Sequence, residues 1–225
     1  MNTEYEFHLM QLADSFFPSG TFGLSGGLES FVKSGRVKNR AQVIQLVRQQ
    51  LKFQLLPCDC AVLSVAMNAA RLGDIDRIVE VDNRYYSMKL VREVRTASTR
   101  TGKQLLHSLA DMKNGTVAKK FRTAIAKGKT PGTYPVCLAI AAYSFRIPKV
   151  SAVRMMLYSY CVSIVGSAIR LGVISHIEGQ KILTELAQNV NSRPSREPSE
   201  MWQLNPLAEI LQMQHEQDEF RMFIT

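Results

Sequence analysis

The stretch "MMLYSYCVSIVGSAI", Met155 to Ile169, constrains the fold of this chain more than any other. It is the most apolar run in the sequence, fifteen residues bounded by Arg154 and Arg170. A helix needs roughly 20 apolar residues to cross a bilayer, so this run reads as the buried central helix of a soluble protein. Ser163, Gly166, Ser167 and Ala168 are small enough to let another helix approach it closely. The N-terminal "MNTEYEFHLMQLADSFF" carries Glu4 and Glu6 early and has no uninterrupted apolar stretch, unlike a signal peptide. The expectation is a cytoplasmic protein with no membrane segment.

The remaining apolar residues follow the helical period. Asn39 is placed to cap a helix over 41–54 that shows Val43, Leu46, Val47 and Leu51 on one face. Pro57 suits the first turn of a new helix with Ala61, Val62, Val65, Ala66 and Ala69 inward. Asp74 can cap a third, carrying Ile75, Ile78, Val79, Asp82 and Tyr85. Leu105, Leu106, Leu109 and Met112 belong to a helix that stops at Asn114-Gly115. A helix from Thr116 to about Lys127 puts Val117, Phe121 and Ala124 inward, and "KGKTPGTYP" is a loop. An apolar helix near Pro135–Phe145, the central helix of roughly 150–171, and an amphipathic helix with Ile182, Leu183, Leu186 and Val190 follow. Polar, proline-containing residues 191–200 read as a mobile surface loop, and 205–225 as a C-terminal helix and tail. No period-2 alternation and no internal repeat is visible. The fold expected is all-α: one domain over 1–225, about ten helices around a buried central helix. Hydrophobic residues at 46% and charged residues at 21% suit such a core, so disorder is not the default reading.

The chemistry-bearing patterns are incomplete. "FFPSGTFGLSGGLESF", Phe16 to Phe31, has the glycines of a phosphate loop. However, Gly27 is followed by Leu28 and Glu29 rather than Lys and Ser/Thr, and no strand precedes it. A glycine-permitted turn anchored by Phe17, Phe22 and Leu24, or a loop packed against a partner protein, fits better. Cys58 and Cys60 form a CxC pair without the second pair a structural metal site needs, and read as buried thiols; a Cys/His nickel metallochaperone is the metal-binding alternative. His8, His107, His176 and His215 form no metal motif, and "HEQDE" has Glu219 where a second histidine would stand. The net charge of +9 gathers in Val32–Arg40, Arg95–Lys103 and Lys119–Lys129. Solvated helix faces are the ordinary explanation. Phe121 could stack on a base, but without a recognition module a helical nucleic-acid-binding protein is only an alternative.

Two distant motifs go further. "LMQLADSFFPSGTFGLSGGLE" supplies Leu9, Gln11, Leu12, Asp14, Ser15, Pro18, Gly20, Phe22, Ser25, Gly27, Leu28 and Glu29. Near the other end, "NPLAEILQMQHEQDEFRMF" supplies Pro206, Leu207, Glu209, Ile210, His215, Glu216, Arg221 and Phe223. Together with "REVRTASTRTGKQLL" and "YPVCLAIAA" between them, they resemble the signatures of UreF-type urease accessory proteins, in order and spacing. One departure stands after Arg170-Leu171. "GVISHIEGQ" keeps Gly179-Gln180, but Val173, Ile174, Ser175 and His176 replace a P-L-G-Q segment, which shifts the expected helix break to Gly172.

The resemblance implies an all-α adaptor that is not an enzyme and holds no cofactor of its own. Such proteins dimerise, bind the UreD/UreH-type accessory protein, and recruit the UreG-type GTPase for nickel insertion into apo-urease. Nickel and GTP thus enter through partner proteins. The partner-binding residues it implies are Pro18, Gly20, Ser25, Gly27, Glu29, Arg170, Gln180, His215, Glu216 and Arg221. Glu29 is expected as a partly exposed carboxylate and Arg170 as a donor fixed at the end of the central helix. Arg92, Glu93 and Arg95 are expected to form an internal charge network. His215, Glu216 and Arg221 are expected to order the C-terminal segment.

Overall fold

The helical stripes fold into eleven α-helices in a computed structural model that describes residues 4–113, 115–188, 200–218 and 221–224. These are α1 (Glu4–Ala13), α2 (Leu28–Lys33), α3 (Arg40–Gln50), α4 (Cys60–Leu72), α5 (Ile75–Met88) and α6 (Arg92–Met112). They continue with α7 (Thr116–Ala126), α8 (Tyr134–Ser144), α9 (Lys149–Arg170), α10 (His176–Leu186) and α11 (Pro206–His215). No strand occurs among the described residues. Asn114, Val190, the segment 191–199 of the foreseen loop, Thr225 and the side chain of Phe22 lie outside them.

The foreseen caps are present. The Asn39 and Asp74 side chains accept from the amides of Gln42 (3.1 Å) and Arg77 (2.9 Å), each worth about 1 kcal/mol of helix stability. A further cap lies at Ser175, which accepts from the Glu178 amide while the Glu178 carboxylate accepts from the Ser175 amide. This capping box starts α10 directly after the turn in which Gly172 takes a φ of 71°, where the helix break was placed. The Ser-x-x-Glu spacing that announces such a box was readable in the sequence.

The foreseen bundle around a buried helix forms, and the helix enclosed on all sides is α8. Pro135 to Ala142 are all buried, with α4 and α6 packed against them. A helix apolar on every face has no wet side to present, and its alanines let both neighbours approach. By contrast, α9 buries one side, including Met155, Met156, Cys161, Ile164 and Val165, and leaves Tyr158 about half exposed. At 22 residues it is long enough to cross a bilayer, so its burial, and not the length of its apolar run, marks it as a core helix.

Pro57 departs from expectation. It does not begin a new helix; α3 runs into α4 through a π-helical segment, Leu51–Asp59, with Pro57 inside it. The wider turn pairs the Cys60 amide with the Leu55 carbonyl, five residues back. Pro57 has no amide to donate within this turn, and the nearby carbonyl of Phe53 accepts from the Leu204 amide at 2.9 Å. The segment before α11 is thereby laid onto the π-helical turn.

Candidate functional site

The glycine stretch folds as a loop pressed onto α9. Gly26 and Gly27 take φ of 58° and 86°, which side chains rarely adopt. A Cβ on Gly26 would lie 2.5 Å from Ile164 Cδ1, and one on Gly27 would lie 2.9 Å from Gln212 Nε2. The loop's carbonyls are spent internally. Leu24 accepts from Ser163 Oγ at 2.8 Å, Gly26 from Gln50 Nε2 at 2.8 Å, and Gly23 from the Ile224 amide at 3.0 Å. The small residues of α9 thus do not all receive a helix: Ser163 and Ser167 hold the loop, while Gly166 faces open space.

Glu29 stands in the first turn of α2, immediately after the loop. It is not the partly exposed carboxylate foreseen. It is 3% exposed and accepts from the amides of Met222 and Phe223, both at 3.0 Å, from Lys33 Nζ at 3.1 Å and from His215 Nε2 at 3.2 Å. The reason is that the C-terminal tail folds back over it. Burial pushes the Glu29 pKa up, but the two amides, Lys33 and His215 together hold it below the ordinary carboxylate value. Burial likewise works against the charge on Lys33, yet Asp218 and Glu29 raise its pKa above that of an ordinary lysine.

His215 is buried and reaches a second carboxylate, Glu93 Oε2, through Nδ1 at 2.9 Å. Glu93 also accepts from Arg221 at 2.6 Å, and its amide donates to Glu216 at 2.8 Å. Glu216 lies 3.5 Å from Arg92, and Arg95 donates to the Lys89 carbonyl at 3.0 Å. The foreseen internal network of Arg92, Glu93 and Arg95 does not form among the three: Glu93 pairs with His215 and Arg221, Arg92 with Glu216, and Arg95 with a backbone carbonyl. Glu93 was expected in a network with its helix neighbours, whereas its partners His215 and Arg221 lie more than 120 residues away.

The other implied residues divide. Arg170 stacks over the Phe223 ring at 4.6 Å and donates to the Gly166 carbonyl and to Ser167 Oγ. Burial lowers its pKa from the ordinary arginine value. Ser25 is fully buried, with its Oγ accepting from the Glu29 amide at 3.4 Å. Pro18 and Gly20 are exposed on the near side of the loop, and Gln180 is exposed on α10. Thus Ser25, Gly27, Glu29, Arg170, His215, Glu216 and Arg221 come together, while Pro18, Gly20 and Gln180 do not join the clamp.

Under the loop lies a cavity of about 160 Å³, bordered by Leu24, Gly26 and Tyr160 and, opposite them, by Asp59, Tyr85 and Lys89. Lys89 Nζ, 3% exposed, donates to Asp59 Oδ2 at 3.0 Å and to Gln203 Oε1 at 2.7 Å. Burial pulls its pKa down, and the Asp59 carboxylate more than offsets that. Cys58 and Cys60 are buried beside this pair; burial pushes the Cys58 thiol up to about 12 and Cys60 well above its ordinary value. Neither offers a thiolate to solvent at neutral pH. Phe121 is fully buried, so the reading of it as a base-stacking ring is overturned by its place in the core.

Fold and site together define an all-helical protein whose two terminal motifs close on one another in a buried ionic clamp. The UreF family model matches residues 37–187. The urease accessory protein UreF of Actinobacillus pleuropneumoniae serotype 5b (strain L20) is 30% identical over 221 residues, covering 96% of this chain and 97% of its own. The protein of the same name from Haemophilus influenzae (strain PittEE) is 30% identical over 212 residues, with 92% and 90% covered. That of Trichodesmium erythraeum (strain IMS101) is 26% identical over 219, with 96% and 94% covered. The chain belongs to the UreF family of urease accessory proteins.

Proposed function

We propose that this chain is the adaptor of a urease-maturation assembly. It dimerises, binds a UreD/UreH-type accessory protein and recruits a UreG-type GTPase, so that nickel, the cargo, reaches apo-urease. It performs no catalysis of its own and works in the cytoplasm. The observation that carries the reading is the Glu29–His215–Glu93 clamp. It fastens the glycine loop, α11 and the tail together, while Leu207, Ile210 and Met213 of α11 and Met222 of the tail stay exposed. Buried polar groups that fix one conformation, with apolar side chains facing outward, suit a preorganised protein-binding edge.

The test uses His215→Ala in cells that depend on this chain for urease activity at limiting nickel. The expected result is a folded protein with a loosened tail, loss of co-purification with the UreD/UreH-type protein, and loss of urease activation. Full activation in a cell lacking the chain altogether would overturn the reading.

A further inference from the structure

The formal charge of +9 is unevenly neutralised. Elsewhere several cations have carboxylate partners: Arg40 and Arg48 share Glu185, Arg77 meets Glu80, Lys33 meets Glu29 and Asp218, Lys89 meets Asp59, and Arg92 and Arg221 meet Glu216 and Glu93. From residue 100 to 129 exposed cations without such pairs dominate. Arg100, Lys103, Lys113, Lys119, Lys120, Lys127 and Lys129 are all exposed, with Asp111 the only carboxylate among them. Among the described residues none of these seven cations makes an ion pair.

The cations lie on two neighbouring helices and their ends. On α6, Arg100, Lys103, His107 and Asp111 recur at helical spacing among exposed positions; Lys119, Lys120 and Thr123 on α7, with Lys127 at its C-cap, do the same. The two stripes meet at the loop after α7, where a Cβ on Gly132 would lie 3.5 Å from Lys103 Cγ. That loop is pinned. Asp82, fully buried on α5, accepts from the amides of Gly132 (2.7 Å) and Thr133 (2.9 Å) and from the hydroxyls of Thr130 and Thr133. A Cβ on Gly102 would lie 2.4 Å from the Gly132 carbonyl, so α6 is pressed against the same loop. The cations therefore stand on a rigid platform, and their mutual repulsion is not relieved by local pairing.

We propose that this α6–α7 face is an electrostatic docking surface for an acidic protein surface within the maturation assembly. The proposal rests on the adaptor reading for its partner and uses a face built from different residues than the clamp. Three features favour a protein over other polyanions. The ring that could stack on a base, Phe121, is fully buried, which removes the aromatic platform single-stranded nucleic acid uses. Six of the seven cations are lysines, point charges without the bidentate fork that reads phosphate or guanine. No large apolar side chain is exposed on α7, so it lacks the apolar face with which an interfacial helix enters a membrane. What remains is a concentrated positive field, which chiefly accelerates encounter with a complementary surface.

The test compares Lys119→Glu/Lys120→Glu/Lys127→Glu with a control of equal charge change on other faces, Lys38→Glu/Lys52→Glu/Arg71→Glu. Association with purified apo-urease bearing its other accessory proteins is followed by stopped-flow at low and high salt. A 20-base-pair duplex and vesicles of anionic phospholipid serve as alternative polyanions. The expected result is an association rate lowered about tenfold or more by the first triple variant at low salt, little change with the control, and convergence at high salt. Equal losses with both variants, or none with the first, would overturn this proposal alone. Failure of the wild-type chain to associate with the assembly would overturn the adaptor reading with it. Tighter, patch-dependent binding to the duplex or the vesicles would replace the acidic protein with that partner.

Discussion

Around Glu29, charged groups meet at 2.9 to 3.2 Å about two buried side chains, Glu29 and His215; on the α6–α7 face, seven exposed cations make no ion pair among the described residues. The first arrangement spends charge on holding the chain to itself. A carboxylate there has lost its water and depends on its protein donors. The second leaves the charge unspent in solvent, where it costs little and reaches outward by about a Debye length, roughly 8 Å at physiological salt. Charge therefore serves conformation at one end of the molecule and encounter at the other, and the two should respond differently to mutation, pH and salt.

Removing the Glu29 charge should have the largest effect. Glu29→Gln keeps the volume but leaves His215 and Lys33 facing a neutral amide in a buried site. Breaking a buried pair from one side costs about 3 kcal/mol. Urea unfolding should show a loss of that order, and the Met222 and Phe223 amides should exchange with solvent much faster. A loss below about 1 kcal/mol would place the clamp among ordinary surface pairs and erase the contrast.

Acid should act like that substitution. The folded Glu29 pKa lies below its ordinary value of 4.5, so the stability it contributes is fully present above the unfolded value. That contribution is lost as pH falls through the folded one. Lys33 works in the other direction. Its pKa lies above 10.5, so its contribution holds below that and disappears as pH rises through the folded value. Proteolytic cutting of the tail should therefore be slow across neutral pH and rise at both extremes, with the acid arm absent in Glu29→Gln.

A backbone change tests whether the loop or the charge sets the geometry. Gly26→Ala places a Cβ 2.5 Å from Ile164 in a positive-φ position; the strain should cost about 2 kcal/mol. Differential scanning calorimetry should show a lowered midpoint with the tail still protected. An unchanged midpoint would mean the loop can slide off α9 freely.

Much of the fold was legible in the sequence because helical stripes and caps are local. Asn39 and Asp74 cap where their side chains predict, and Val43, Leu46 and Val47 face inward as spaced. What was not legible depended on distant chain. Pro57 tolerates a helix interior because the turn widens to π, with Leu204 supplying an amide to the nearby Phe53 carbonyl. Glu29 reads as a solvent-facing carboxylate until residues 193 and 194 positions later in the chain donate to it. The family motifs pointed to Glu29, His215 and Arg221 without saying that Glu29 and His215 touch. Glu93, which joins His215 to Arg221, carries no local signal beyond its charge. Run length said less about the degree of enclosure than the absence of a polar face: α8, shorter than α9, is the more completely enclosed of the two.

The smallest expected effect lies on the other side of the comparison. The α6–α7 charge reversals Lys119→Glu/Lys120→Glu should change unfolding free energy by no more than about 0.5 kcal/mol, because neither lysine has a partner among the described residues to lose. The sign should be favourable at low salt, since reversal relieves repulsion along the face, and the gain should fade as salt screens it. Wild-type stability should correspondingly rise with salt more than that of the variant. A loss above about 2 kcal/mol, a size that surface changes without a buried partner rarely reach, would show that these cations hold the fold. The distinction between charge kept for conformation and charge kept for encounter would then fail at its weaker end.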